Sequence, residues 1–390
     1  MMLRSAGWCR SALVLLVGLL AGGCTRQEQA APRLLERSQR VTGLADTAFA
    51  RIIREFSEPS RFFDTDNLIS NEATYLDVAS TLDSLSLRGG AYIGVGPDQN
   101  FSYIARLRPE IAFLLDLRRD NLLELLWFKA LFHLAPTRIE YLSLLFGRPA
   151  PDDPDTWASR PVEALLSAIE EVPPDQTRLA RTRDRIERYL ADLGVGLRSD
   201  DFATIARMHQ TFIDQGPTLR FTTFGRPPRP CYPTYWDLLV ARDLTGRQAS
   251  YLATEEDFGW VRRLHERNLI IPVVGDLAGP YALRRIGTYL AGHALDVSAF
   301  YTSNVEFYLA QDGVLAPYLE NLGSLPHGSA SVIIRSIFDF RFVSPPSYPA
   351  VPGSCSVQSL QRIATLLEFT ARAGAVGYGD LVSRDPIALR

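Results

Sequence analysis

Short, unbroken apolar runs alternate with stretches of helical spacing along most of this chain. Ala91-Tyr92-Ile93 reads as a short buried strand, turned by Gly94-Val95-Gly96. Pro97 suits the first position of a helix, where its missing N–H is not needed. Phe101, Ile104, Ala105 and Leu107 give that helix an apolar face, and Arg108-Pro109 ends it. Ile111–Leu115 is a second buried strand, closed by Asp116. A strand–helix–strand unit this compact favours parallel pairing. Further strands are expected at Leu269–Val274, Val297–Tyr301 and Ser331–Phe338. Pro272 assigns the first of these to an edge or a bulge.

Helical spacing predicts helices over residues 33–56, 73–85, 122–134, 178–193, 255–266 and 357–373, and another opened by Gly279-Pro280. The helix at 122–134 is apolar almost all round, so it belongs between layers. Asp200 and Asp201 can cap a further helix that stops at Gly216-Pro217. The fold class that emerges is α/β, a mostly parallel sheet flanked by helices. A mainly helical insertion is expected over about 148–230, opened by the Pro- and Asp-rich stretch RPAPDDPDTWASRP. The α/β domain spans 33–345, and 346–390 is a C-terminal loop and helix.

The amino terminus has a different pattern. Arg4 and Arg10 precede a short apolar core, Ala12–Leu20, followed by Ala21-Gly22-Gly23-Cys24. This describes a signal peptide over 1–23. Its core is about half the ~20 residues needed to span a bilayer. The segment resembles a bacterial lipoprotein signal, which implies lipidation at Cys24, a membrane anchor there, and export to the cell envelope. Thr25 after the cysteine favours the outer membrane by the same resemblance. Residues 24–32 form a polar tether.

Export changes how the cysteines read. Cys231 and Cys355 remain in the body, both in Pro- and Gly-rich loops, and an oxidising compartment would permit a bridge between them. A bridge and two separate thiols both fit the sequence. Two cysteines without a histidine cluster make no metal site.

Composition narrows the partners. The chain has 390 residues and a formal charge of -3; loss of 1–23, which carries two arginines and no acid, takes it to about -5. Such a surface lacks the electrostatic footprint for nucleic acid. Lys129 is the sole lysine, and its run of Leu, Trp and Phe reads as a helix from which the amine snorkels outward.

Four polar groups follow four proposed strands: Gly94, Gly96, Asp98, Gln99 and Asn100; Asp116; Gly275-Asp276; and Ser303, Asn304 and Glu306. If the strands are parallel, these groups share the carboxyl rim of one sheet, where open α/β sheets bind ligands. Turn glycines, caps and loop acids in a fold without a cofactor would give the same pattern. Asp98, Asp276, Glu306 and His327 are the candidate acid–base groups. Ser303 lacks a G-x-S-x-G context and a paired histidine, which argues against a serine hydrolase. His133, His209, His265 and His293 fall on helices without metal spacing and read as structural.

Segments 61–75 (RFFDTDNLISNEATY), 90–121, 232–290 and 297–309 (VSAFYTSNVEFYL), with IIRS at 333–336, resemble one bacterial family of unknown function. That family is similar in fold to class I S-adenosylmethionine-dependent methyltransferases, so the resemblance implies a Rossmann-like sheet over roughly residues 40–340. It matches Asp116 to the acid that holds ribose hydroxyls and Asp276 to an acid on the adenine side. Tyr92 replaces the acid near the end of the first strand, and Asp98 replaces the third glycine. Asp98 also disfavours a dinucleotide, because a carboxylate beside a pyrophosphate is repulsive. A nucleoside-like ligand remains compatible. S-adenosylmethionine is not favoured, since it is made in the cytoplasm and an exported enzyme would lack it. The expected function is therefore binding or structural rather than methyl-transferring; the alternative is a methyltransferase or another enzyme acting at the carboxyl rim.

Overall fold

The computed structural model describes residues 41–225, 227, 229–338, 353–374 and 376–390. Cys24, the signal segment, the tether and the first part of the helix expected over 33–56 lie outside the described residues.

Helix α1 (Asp46–Phe56) leads into an extended segment and the short α2 (Ala79–Ser84). The α/β alternation then begins with β1 (Ala91–Val95), α3 (Gln99–Leu107), β2 (Ile111–Asp116) and α4 (Arg119–Leu134). A helical run follows: α5 (Arg138–Leu145), α6 (Val162–Glu170), α7 (Gln176–Asp192), α8 (Ser199–Gln215) and the single-turn α9 (Tyr235–Leu239). The chain returns to the sheet through α10 (Glu255–Glu266), β3 (Ile270–Val274), α11 (Ala282–Gly292) and β4 (Val297–Ser303). It ends with α12 (Val305–Gln311), α13 (Leu315–Gly323), β5 (Val332–Ile337), β6 (Val357–Arg362), α14 (Ile363–Ala373) and α15 (Tyr378–Ser383).

The six strands lie in the order β3-β2-β1-β4-β5-β6. The first five are mutually parallel, and β6 pairs antiparallel with β5. β1 and β2 are apolar runs with nearly every residue buried, as parallel strands covered on both faces require. β3 is an edge strand, and there Pro272, opposite Leu114, removes no hydrogen bond that a second neighbour needs. The direction in which successive strands are added reverses between β1 and β4.

Two expectations are corrected. The helix expected from Val357 begins at Ile363, and Val357–Arg362 is a strand within the sheet. The stretch VQSLQR carries little β signal of its own. Pairing with β5 decides it, because Gln358 and Gln361 satisfy the buried Ser336 and Arg335. Lys129 does not snorkel. It is 1% exposed, donates to the His265 carbonyl, and lies 4.8 Å from the Phe49 ring. Burial pushes its pKa down to about 7. The reason is the position of α4, which packs on β2 and β3 and against α10, so the lysine meets His265 of α10 and Phe49 of α1 rather than solvent.

Among the described residues, no helix is long and apolar enough to cross a membrane.

Candidate functional site: the carboxyl rim and the segment that closes it

The carboxyl ends of the parallel strands form one rim, and residues 57–74 run along it. Glu58 N–H donates to the Val274 carbonyl at the end of β3 (2.8 Å). The Glu58 carboxylate accepts from the backbone N–H groups of Asp276, Tyr281 and Ala282. Arg61 N–H donates to Leu117, just past β2 (2.8 Å). Arg118 donates to the carbonyls of Thr65 (3.0 Å) and Asp66 (2.7 Å). Asn67 reaches Asp116 at 3.4 Å. Glu72 meets the hydroxyls of Tyr301 and Ser303 on β4 and of Ser336 on β5. Thr74 finally donates to the Ser356 carbonyl, beside the start of β6 (3.0 Å). The segment thus meets β3, β2, β4, β5 and the start of β6 in their spatial order along the rim.

The groups picked out by sequence gather here, but most are occupied. Residues 94–100 are buried throughout. A Cβ on Gly94 would fall 1.9 Å from Asn100 Oδ1, so this glycine is required by Asn100. The Asn100 amide donates to the carbonyls of Val95, Gly96 and Pro97 and accepts from Tyr92 (2.7 Å), which ties the loop to itself. Gly96 has φ +82°, and the space a Cβ would fill is flanked by Gln99 Nε2 at 3.1 Å and Asn67 Nδ2 at 3.5 Å. Asp116 is held by Arg118 through both of its oxygens (3.1 and 3.0 Å). Asp276 pairs with Arg61 and accepts from Ala278 N–H.

Two groups turn inward. Asp98 accepts from the hydroxyls of Tyr235 (2.7 Å) and Tyr251 (3.1 Å), and burial raises its pKa to about 6. Glu306 is paired with Arg335 and accepts from Tyr318 (2.6 Å). Ser303 and Asn304 stay half-buried at the end of β4. His327 is elsewhere: its neighbour Pro326 accepts from Val297 at the amino end of β4, the opposite edge from Ser303. The other histidines pack on aromatic rings, as His133 does on Tyr189 and His209 on Trp127.

The central residue of this arrangement, Glu72, was not visible as a candidate. It is 1% exposed, and burial raises its pKa while the surrounding hydroxyls pull it back. Its partners Tyr301, Ser303 and Ser336 lie more than 200 positions away, so no local spacing could reveal it. On α4, beside Asp98 and Arg118, Glu124 is also buried with its pKa raised well above normal, by desolvation first and then by Asp98; Arg118 pulls it back. Among the described residues no group of His, Cys, Asp and Glu could hold a metal ion.

Cys231 and Cys355 are joined as a disulfide, with Cα atoms 5.6 Å apart, inside the bridging range. Cys355 adjoins Ser356, on which Thr74 is anchored.

The class defined by these features is a mixed α/β protein with a six-stranded, mostly parallel sheet whose carboxyl rim is covered by its own chain. Residues 68–152 and 204–373 match the family described as a domain of unknown function, DUF7790, and the chain belongs to that family. The unmatched residues between the two stretches include α6 and α7. No curated protein matches the chain.

Proposed function

We propose that this is an exported, lipid-anchored envelope protein with a Rossmann-like, methyltransferase-like domain, which serves as a binding or structural component and does not transfer methyl groups. The strand order supports the Rossmann-like reading: addition reverses between β1 and β4, and in such sheets ligands bind outside the carboxyl ends at that switch point. The residues present do not fit the methyl donor. Gln99 and Asn67 flank Gly96 where a ligand would need close backbone approach, and Arg118 already engages both oxygens of Asp116. That filled rim is the observation on which the proposal rests.

The envelope reading rests on the signal-like segment and Cys24. A disulfide between Cys231 and Cys355 is in keeping with an oxidising compartment.

A thermal-shift titration tests the ligand claim. A ligand present at about 100 times its Kd adds about 2.7 kcal/mol and a visible melting shift. Neither S-adenosylmethionine nor its demethylated product is expected to shift the transition. A clear shift that Asp116→Ala abolishes would overturn the proposal. For the anchor, Cys24→Ala should release the protein from the membrane fraction; a variant still membrane-bound would contradict it.

A further inference from the structure

Among the described residues the exposed large hydrophobics are Phe62, at 80%, and Phe224, at 57%. They are neighbours. Thr65 and Thr223 form an antiparallel bridge, and Phe224 N–H donates to the Asp64 carbonyl (2.7 Å). Phe224 therefore stands across from Asp64, and Phe62, two residues along, shares that face. Phe63 points the other way, edge-on to Tyr308 of α12 with ring centroids 5.1 Å apart. Alternation along the extended segment thus sends Phe62 outward. A single exposed ring needs no explanation, but two together form an apolar patch on a surface otherwise cleared of large hydrophobics. The exposed charges beside the rings are basic. Arg61 keeps 66% of its side chain exposed while paired with Asp276, and Arg220 and Arg229, on either side of Phe224 in the chain, are exposed. The acids there are half-buried, and Asp66 accepts from Thr222.

We propose that this patch docks on a phospholipid surface, with the two rings in the acyl boundary and the arginines on headgroup phosphates. The proposal deepens the envelope reading and rests on the lipid anchor at Cys24. Rings at the acyl boundary with arginines beside them are the pattern of an interfacial contact. Two rings fall far short of the roughly 800 Å² per partner that a stable protein interface buries. A bilayer asks for less, because a chain already anchored to it meets it at high effective concentration. The anchor's reach allows this orientation. Leu44 N–H donates to Arg267 ahead of β3, so the described chain enters at the amino edge of the sheet, whereas Phe62 rides on the carboxyl rim. A strand of the five residues in β3 is about 17 Å long. The 17 residues from Cys24 to Arg40 extend to at most about 60 Å, enough for the far edge to face the membrane. The segment over the rim then has two faces, an inner one that meets the strand ends and an outer one that meets lipid.

The test uses the detergent-extracted full chain, reconstituted into phosphatidylethanolamine–phosphatidylglycerol vesicles with and without bromine on the acyl chains. Phe62→Trp places an indole in the patch. Ser329→Trp places one at an exposed position on the amino edge, ahead of β5, and the wild-type chain gives the background of its own tryptophans. The indole of Phe62→Trp should shift to the blue on reconstitution and lose most of its emission to bromine, while that of Ser329→Trp should keep its emission. Flotation with the vesicles reads the anchor separately. A chain that floats but shows no quenching of Phe62→Trp, or equal quenching at both positions, would overturn the docking and leave the anchor standing. A chain that fails to float would overturn the anchor and this proposal with it. A blue shift that grows with protein concentration and ignores bromine would make the patch an interface between copies of the chain instead.

Discussion

Arg335 and Ser336 are neighbours on β5, so they face opposite sides of the sheet, and each leads to a buried glutamate. On one face Arg335 grips Glu306 through two nitrogens, with Gln361 accepting from the guanidinium (2.8 Å) and Tyr318 donating to the carboxylate. On the other face Ser336, Ser303 and Tyr301 surround Glu72 with hydroxyls and no cation. A countercharge makes the first site a closed structural unit. The second carries a carboxyl whose burial is offset only by neutral donors, and such groups hold shifted pKa values and concentrate at functional sites. Two acids of equal burial, on opposite faces of β5, thus differ in what they can do.

The comparison can be broken by substitution. Arg335→Met leaves Glu306 buried without its cation and should cost about 3–5 kcal/mol in urea unfolding. A loss under about 1 kcal/mol would show that the pair is not the structural unit described here.

Asp98 sharpens the contrast, since its side-chain partners are likewise hydroxyls and no cation. Its pKa rises from 3.8 to about 6, so within that window the folded chain keeps a proton that the unfolded chain has lost. The stability it contributes is complete below pH 3.8 and disappears as pH rises towards 6, a change of about 3 kcal/mol at about 1.4 kcal/mol per unit. Asp98→Asn should flatten this part of the Tm–pH curve. An unchanged slope would remove Asp98 from the class.

The smallest effect is expected for Glu72→Gln. The amide can still hydrogen-bond the hydroxyls and orphans no countercharge, so stability at neutral pH should change by about 1 kcal/mol or less. A loss as large as that of Arg335→Met would erase the difference between the two faces.

What could be read from the sequence follows from how local each signal is. β1 and β2 announce themselves as unbroken apolar runs, and Pro272 marks β3 as an edge or a bulge because a central strand would need its missing N–H. The strand ends then bring Gly96, Asp116, Asp276 and Ser303 to one rim by alternation alone. What was lost depended on contacts made elsewhere. Val357–Arg362 becomes a strand because β5 accepts it, Lys129 is buried because α1 and α10 meet it, and Glu72 acquires its meaning from three hydroxyls on two distant strands. The stretch around 61–75 carried turn residues and no periodicity, so its course along the whole rim had no local signature.

Hydrogen–deuterium exchange across residues 57–76 tests most directly whether the rim is closed by the chain itself. Amides of this segment that hold acceptors, such as those of Glu58, Arg61 and Tyr75, should be protected, and adding S-adenosylhomocysteine should leave their exchange unchanged. Rapid exchange throughout the segment, or protection that appears only with the nucleoside, would mean that the rim is an open ligand site and would contradict this account.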